Sequence, residues 1–178
     1  MKTLKYTFRL LFWVILLTAF SCQDKKAQEE LNKIKQAESL KVINIEAVKN
    51  FYKFIDKGKS DSIRSLIAPD FKIYYESADA ITFDDIRPLI TMFYTSFPDY
   101  IHEIDDILAT DDKVIARLTY SGTFTNPFME IKPTGVKFKY KGIQIFQFAN
   151  NKMINFWAVE DELGLMTQLG MELQPKNK

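Results

Sequence analysis

The sequence predicts an α+β domain in which N-terminal helices pack on a curved antiparallel sheet. Two observations support this prediction. Apolar residues at helical spacing dominate residues 45–97, whereas alternating patterns dominate from residue 100 onward. Short turn signals, Asp111-Asp112 and Asn150-Asn151, separate neighbouring alternating runs in the way that hairpin turns do. Helices followed by hairpin-linked strands are typical of the α+β class.

The first predicted helix has a single apolar face with a repeat close to 3.6 residues. Asn44 is a candidate N-cap for it, and Gly58 suits its C-terminal end. We expect this face to be buried against the sheet. Its members are Ile45, Val48, Phe51, Tyr52 and Ile55.

A short second helix is predicted over residues 60–67, with Ser60 as its N-cap. It ends before Pro69, because a residue that precedes proline is pushed out of the helical region. The run at 71–75, FKIYY, then predicts a strand.

The third predicted helix has two possible starts. Thr82 and Asp85 have the spacing of a capping box. Pro88 favours a later start with Asp84 or Asp85 as the cap, because proline then falls in the first turn, where its missing N–H costs nothing.

Further strands are predicted at about 100–108, 113–124, 136–149 and 152–160, with a loop at 125–135 and a final helix at 161–170. Ile143 and Ile145 have the parity of the outer face of the sheet, so a second copy of the chain is expected to cover that face as a homodimer. The opposite, aromatic parity should face the helices. It comprises Val136, Phe138, Tyr140, Gln144, Phe146 and Phe148.

The first residues predict export. Three basic residues precede an apolar run at 10–20, and Ser21-Cys22 follows. Cys22 is the only cysteine of the chain, so the pattern predicts a lipoprotein-type signal at 1–21, a lipidated Cys22 and a polar tether at 22–41. An uncleaved or ordinarily cleaved signal is the alternative. The expected location is membrane-anchored, facing the periplasm or the cell surface.

Composition excludes several classes of function. A formal net charge of +1 gives no electrostatic footprint for nucleic acid. His102, the only histidine, is expected to be a surface strand residue without a partner. The carboxylates lack the paired spacing that metal sites need, so neither a metal nor a cofactor is predicted.

Several stretches together resemble the SnoaL-like polyketide cyclase (ester cyclase) family of the nuclear-transport-factor-2-like superfamily. They are FYKFIDKGKSDSIRSLIAPDF, SFPDY, YSGTFTNPFMEIKPTG and GIQIFQFANNKMINFWAVEDELGLMTQLG. The resemblance covers about residues 45–172, and it implies a cone-shaped barrel around one apolar pocket. The domain is placed at 42–172, with a polar tail at 173–178.

The resemblance also implies what the pocket lacks. The aspartate that serves the family as general acid/base falls on Ala158, and the histidine beside it falls on Gln144. Two further common histidines fall on Phe124 and Phe156. Neither alanine nor glutamine exchanges protons near neutral pH, so the family's acid/base pair is expected to be absent.

The sequence leaves two functions open, besides a structural role for a filled cavity. The first is binding of a small apolar molecule without chemistry, in which Gln144 is either a ligand contact or a core amide satisfied by neighbouring tyrosines. The predicted pocket wall comprises Tyr52, Tyr74, Phe93, Phe97, Phe124, Phe138, Tyr140, Gln144, Phe146, Phe156 and Ala158.

The second function is that of a cyclase, isomerase or hydrolase with a relocated acid/base. Glu160 is the main candidate, because it continues the parity of the strand residues that should face the cavity. Asp161 is a weaker catalytic candidate, since it lies where a strand meets a helix and a carboxylate there caps the first turn.

Overall fold

The computed structural model describes the backbone of residues 2–75, 79–172 and 174, and side chains from residue 25 onward within those ranges. Contacts divide the chain into two compact units, residues 1–40 and 41–178. The elements are α1 (Lys2–Asp56), α2 (Ser60–Ile63), β1 (Ile67–Tyr75), α3 (Phe83–Ser96), β2 (Ile101–Ala109), β3 (Lys113–Thr123), β4 (Lys137–Ala149), β5 (Lys152–Glu160) and α4 (Glu162–Gln168).

The five strands form one open sheet in the order β1-β5-β4-β3-β2. The α+β class is confirmed, and β2, β3, β4 and β5 pair antiparallel as predicted. β1 differs, because it pairs in parallel with β5, so the sheet is mixed and is not closed into a barrel. A parallel pair requires a long crossover connection, which the whole segment from α3 to β4 supplies here.

α1 is one continuous helix rather than a helix that begins near residue 45. Asn44 therefore is not an N-cap; it lies inside the helix and is buried. The predicted apolar face is confirmed, since Val48, Phe51 and Ile55 are buried in the core. Gly58 follows the helix with a positive φ of 63°, as a residue that ends a helix commonly has.

α2 is shorter than predicted, and Lys59, not Ser60, takes its N-cap position, without a side-chain hydrogen bond. The helix stops early because the chain must enter β1. The carbonyl of Leu66 accepts a hydrogen bond from the N–H of Met153, and Ile67 pairs with that residue in the sheet.

α3 begins with the capping box formed by Thr82 and Asp85, so the alternative in which Asp84 or Asp85 caps the helix is wrong. The hydroxyl of Thr82 accepts from the N–H of Asp85, and the Thr82 N–H donates to the Asp85 carboxylate at 2.8 Å. Pro88 consequently lies inside the helix, beyond its first turn. Two satisfied donors at the cap compensate for the hydrogen bond that proline cannot make.

The alternation predicted for β4 is confirmed, with Phe138, Tyr140, Gln144, Phe146 and Phe148 buried on one face. The pairing of β4 with β5 shifts register between Gln147, which pairs with Asn155, and Phe148, which pairs with Met153. The covered face packs against the helices, as the contact between the rings of Phe51 and Phe146 illustrates, with centroids 5.3 Å apart.

Within the part of the chain whose side chains are described, no helix is long and apolar enough to span a membrane. The predicted signal at 1–21 and the predicted lipidation site Cys22 lie outside those described side chains.

The capping box gives a first prediction. Replacing Thr82→Ala removes the side-chain acceptor at the N-terminus of α3 and should lower the free energy of unfolding by about 1 kcal/mol in urea denaturation. Thr91→Ala is the matched control, because this exposed threonine of α3 only donates to the Arg87 carbonyl. Its effect should stay within about 0.5 kcal/mol. Equal losses in both variants would contradict the assigned cap.

Candidate functional site

A cavity of about 270 Å³ lies between the covered face of the sheet and helices α1, α3 and α4. Its wall is mostly aromatic and aliphatic, and it contains no lysine or arginine among the residues described. The polar side chains that reach it are those of Tyr52, Tyr75, Tyr94, Tyr100, His102, Tyr120, Tyr140, Gln144, Glu160 and Glu162.

Gln144 is the centre of a hydrogen-bonded group in this wall. Its Oε1 accepts from the hydroxyl of Tyr52 at 2.6 Å, and its Nε2 donates to the hydroxyl oxygen of Tyr120 and to Oε1 of Glu160, each at 2.8 Å. The hydroxyl of Tyr120 in turn donates to the same Glu160 oxygen at 3.1 Å. The buried amide is thus satisfied by two tyrosines, Tyr52 and Tyr120, and by the carboxyl of Glu160.

Glu160 is half-buried at the end of β5 and lines the cavity. Both of its donors reach Oε1, and Oε2 accepts no hydrogen bond from any residue that the structure describes. Burial raises the pKa of the Glu160 carboxyl, although hydrogen bonds from Gln144 and Tyr120 and the nearby His102 act in the opposite direction. A carboxyl with a raised pKa and one free oxygen is suited to accept and return a proton.

Gly142 makes room for this carboxyl. It is the register partner of Glu160 across β4 and β5. A Cβ at position 142 would lie 2.9 Å from Cγ of Glu160, 2.9 Å from the carbonyl oxygen of Val159 and 3.0 Å from the ring of Tyr120. Any larger residue would therefore displace either the carboxyl or the strand backbone.

The tyrosines of the cavity serve as hydrogen-bond donors. Burial is the main cause that raises the pKa of Tyr52, Tyr75, Tyr100, Tyr120 and Tyr140, so their phenols stay protonated at neutral pH. The hydroxyls of Tyr100 and Tyr140 also contact each other. Proton acceptance in this part of the cavity accordingly belongs to Glu160.

His102 lies in the cavity wall, which corrects the expectation of a surface residue without a partner. Its Nδ1 lies 2.6 Å from Oδ1 of Asp56, and its side chain is only 9% exposed. The same Asp56 oxygen accepts from the hydroxyl of Tyr94 at 2.8 Å. One signal in the sequence could have placed it: His102 shares the parity of Ile104, which packs against the core.

Apart from Tyr74, the predicted wall residues divide into two groups. Tyr52, Phe93, Tyr140, Gln144 and Phe156 line the cavity together with Glu160. The others do not line the cavity and are almost completely buried in the surrounding core. These are Phe97, Phe124, Phe138, Phe146 and the small residue Ala158.

Tyr74 lies on the opposite face of β1, where its ring stacks on Trp157 with centroids 5.3 Å apart. Tyr75 takes the place in the cavity wall that was expected for Tyr74. The two residues are adjacent in a strand, so only one of them can face the cavity, and the register with Ala158 of β5 selects Tyr75.

Asp161 is exposed and lies outside the cavity wall. Its Oδ1 accepts from the N–H of Gly164 at 2.9 Å, which is the geometry of an N-cap for α4. The structure therefore assigns Asp161 to the start of the helix and leaves Glu160 as the carboxylate of the cavity.

The sequence and the structure of the chain are similar to those of known proteins. The model of the SnoaL-like polyketide cyclase family matches residues 45–169. AclR of Streptomyces galilaeus, a proposed hydroxylase, is similar with a TM-score of 0.68 and 23% identity over 73% of this chain and 97% of its own. No curated protein matches the sequence.

Two further solved structures are similar. A proposed SnoaL-like polyketide cyclase from Jannaschia sp. CCS1 has a TM-score of 0.67 and 19% identity over 75% of this chain and 96% of its own. IdmH of Streptomyces antibioticus, a proposed polyketide cyclase, has a TM-score of 0.66 and 23% identity over 72% and 99%. At these identities the likeness to the solved structures is one of fold.

The raised pKa of Glu160 predicts a dependence of stability on pH. The protonated Glu160 is tolerated in the folded state better than the ionised form, because its folded-state pKa is raised. The free energy of unfolding is therefore highest below about pH 4.3, the ordinary pKa of glutamate, and it decreases as the pH rises through the folded-state pKa. Glu160→Gln removes this decrease. The variant should be more stable than the native chain at pH 7. The difference between their free energies of unfolding should grow by at most about 1.4 kcal/mol for each pH unit.

Urea denaturation between pH 4 and pH 8 measures this difference. Glu103→Gln, an exposed position on β2, is the matched control, and its free energy of unfolding should stay within about 0.5 kcal/mol of the native value. A deficit of Glu160→Gln that is the same at all pH values would contradict the assigned burial of the charge.

The contact of Gly142 with Glu160 predicts a second effect. Gly142→Ala should lower the free energy of unfolding by about 1–3 kcal/mol, and it should move the Glu160 carboxyl towards solvent and lower its pKa. Carbon-13 NMR titration of the glutamate carboxyls measures that change. In Gly122→Ala the new Cβ would also meet its nearest atom at 2.9 Å, but that atom belongs to the ring of Phe138, so this control should leave the titration of Glu160 unchanged.

Proposed function

Because the chain belongs to the SnoaL-like polyketide cyclase family, we propose that it binds a small, uncharged, largely apolar molecule in the cavity and that Glu160 exchanges a proton with it. One observation carries the proposal: a half-buried carboxyl with a raised pKa and a free oxygen lies in a mostly aromatic and aliphatic wall.

The composition of the wall supports an uncharged ligand. Aromatic and aliphatic side chains supply the apolar surface that drives binding of a small molecule, and most of the polar groups that reach the cavity are tyrosine hydroxyls. Glu160 and Glu162 disfavour an anionic ligand, since no lysine or arginine of the described residues lines the cavity to neutralise it. Carboxylates and phosphates are therefore poor candidates.

The chemistry that fits these groups is proton abstraction next to a carbonyl. The ionised Glu160 takes a proton from the carbon beside the carbonyl. The electron pair of that C–H bond forms the carbon–carbon double bond of an enolate, and the carbonyl π pair moves onto the oxygen. The hydroxyls of Tyr100 and Tyr140 are bonded to each other, which leaves one of the two O–H groups to stabilise that oxygen as a donor. Return of the proton to another carbon gives isomerisation, and attack of the enolate carbon on a second carbonyl gives ring closure.

Binding without chemistry is the second candidate function. It is favoured by the position of Ala158, onto which the catalytic aspartate of the family falls and which carries no ionisable group. Gln144, at the position of the neighbouring histidine, already has its amide bonded to three side chains of the protein. In this case the cavity holds the ligand and Glu160 only fixes Gln144.

We further propose that the chain is exported and anchored to a membrane by a lipid on Cys22, as the pattern of residues 1–22 predicts. Homodimer formation through the outer face of the sheet is also proposed. It is supported by the neighbouring side chains of Ile143 and Val159, which are 49% and 62% exposed. Mass spectrometry of the N-terminal peptide and sedimentation of the purified chain test these two points.

The proposed function is tested by hydrogen exchange on a neutral ketone. Acetophenone is incubated with the purified full-length chain in D₂O, and deuterium entering its methyl group is followed by NMR. The chain should accelerate the exchange, and Glu160→Gln should reduce that acceleration by about 100-fold or more, the usual contribution of a general base. Glu103→Gln should retain it.

Binding of acetophenone is followed in the same samples by saturation-transfer NMR. Binding without exchange in the native chain would favour the second candidate function. Absence of both binding and exchange would contradict the proposed class of ligand.

A further inference from the structure

We infer that His102, oriented by Asp56, is a second proton-transfer group of the cavity, so that the site acts on carbonyl compounds by paired acid and base groups. The inference deepens the proposed function and rests on it. It concerns residues that the sequence patterns did not single out for chemistry.

Asp56 fixes both the ring and the backbone of His102. Its Oδ1 lies 2.6 Å from Nδ1 of the imidazole, and its Oδ2 accepts from the backbone N–H of His102 at 3.4 Å. The hydroxyl of Tyr94 donates to Asp56 Oδ1 from α3. The side chains of Asp56 and His102 are 17% and 9% exposed, so this contact is largely shielded from water.

The carboxylate decides which nitrogen of His102 carries the proton. Asp56 can only accept, so the neutral imidazole must present Nδ1–H to it and leave Nε2 as the free acceptor. Nε2 makes no hydrogen bond with the described residues. Every described side-chain nitrogen or oxygen that is fully buried has a partner, so Nε2 must be accessible, and His102 lines the cavity.

His102 and Glu160 lie on either side of Tyr120. The ring of Tyr120 contacts the imidazole edge-on with centroids 5.2 Å apart, and its hydroxyl donates to Glu160 at 3.1 Å. Both His102 and Glu160 line the same cavity. A small molecule in this cavity can therefore meet both groups at once.

The two groups complement each other chemically. Glu160 takes the proton from the carbon beside a carbonyl, while His102, in the form that keeps Nδ1–H on Asp56 and carries a second proton on Nε2, gives that second proton to the carbonyl oxygen. The C–H electron pair forms the carbon–carbon double bond of an enol, and the carbonyl π pair becomes the new O–H bond. Glu160 is then protonated and His102 neutral. Reversal with the proton placed on another carbon restores both groups.

The same geometry would also arise if the contact between Asp56 and His102 served only to hold α1 against β2. In that case Asp56 stabilises the fold, and Nε2 of His102 contacts no ligand. The two roles differ in what a bound ketone does to the imidazole, so the test must observe the ring nitrogens directly.

The full-length chain labelled with ¹⁵N-histidine provides that observation, because its single histidine needs no assignment. We expect the Nδ1–H tautomer in the native chain and a loss of that preference in Asp56→Asn. Saturating acetophenone should shift the Nε2 signal more than the Nδ1 signal, in the native chain and in Glu160→Gln alike. An Nε2–H tautomer, or an Nε2 signal that bound acetophenone leaves unmoved, would overturn the inference.

Exchange rates separate this inference from the proposed function. His102→Gln should lower deuterium incorporation into acetophenone by at least about 10-fold while the ketone still binds. If His102→Gln exchanges like the native chain while Glu160→Gln does not, His102 is no proton-transfer group, but the proposed function stands. If the native chain itself neither binds nor exchanges the ketone, both fail. Asp56→Asn supplies a second variant should His102→Gln not fold.

Discussion

The buried amide of Gln144 is the constraint on which the polar side of this cavity depends. An unsatisfied amide in an apolar wall costs about 1–3 kcal/mol, so its hydrogens and its oxygen must find partners. They find the hydroxyls of Tyr52 and Tyr120 and the carboxyl of Glu160. One side chain on β4 thereby fixes groups on α1, β3 and β5, and it holds the carboxyl at the cavity rather than in solvent.

The carboxyl that gives the site its chemistry also weakens the fold. Burial of Glu160 disfavours its charged form, whereas the apolar residues around it stabilise the domain by being removed from water. Gly142 adds a second constraint, because a side chain at this position of the sheet would collide with the side chain of Glu160. Stability is lower here than a well-packed apolar residue would make it, as is usual at functional sites.

Much of the fold could be predicted from sequence because it depends on local patterns. Strand alternation in β4 and the turn at Asn150-Asn151 follow from side-chain parity and from positive φ angles that asparagine tolerates. The parallel pairing of β1 with β5 could not be predicted, since no local pattern encodes which distant strand lies beside β1. The uninterrupted α1 was not predicted, because an asparagine at this point of a sequence is a favourable N-cap residue. Only the burial of Asn44 inside the folded domain shows that it is not a cap.

The site was predicted only in part, because some of its residues follow strand parity and others meet through contacts between distant parts of the chain. Parity placed Gln144, Phe156 and Glu160 on the cavity face, and family resemblance marked Ala158 and Gln144. The contact between Asp56 and His102 joins residues 46 positions apart in the chain, and sequence spacing does not encode such a distance. Core and cavity wall were confused at Phe97 and Phe138, because both kinds of position require the same aromatic side chain and differ only in what lies beyond it.

The most direct test of this account observes the Gln144 amide itself. Nitrogen-15 NMR of the full-length chain should show both Nε2 hydrogens of Gln144 protected from exchange with water, and their shifts should follow the ionisation of Glu160 as the pH is raised. Rapid exchange of both hydrogens and shifts that do not change with pH would mean that the amide does not hold the carboxyl, and the account of the site would be wrong.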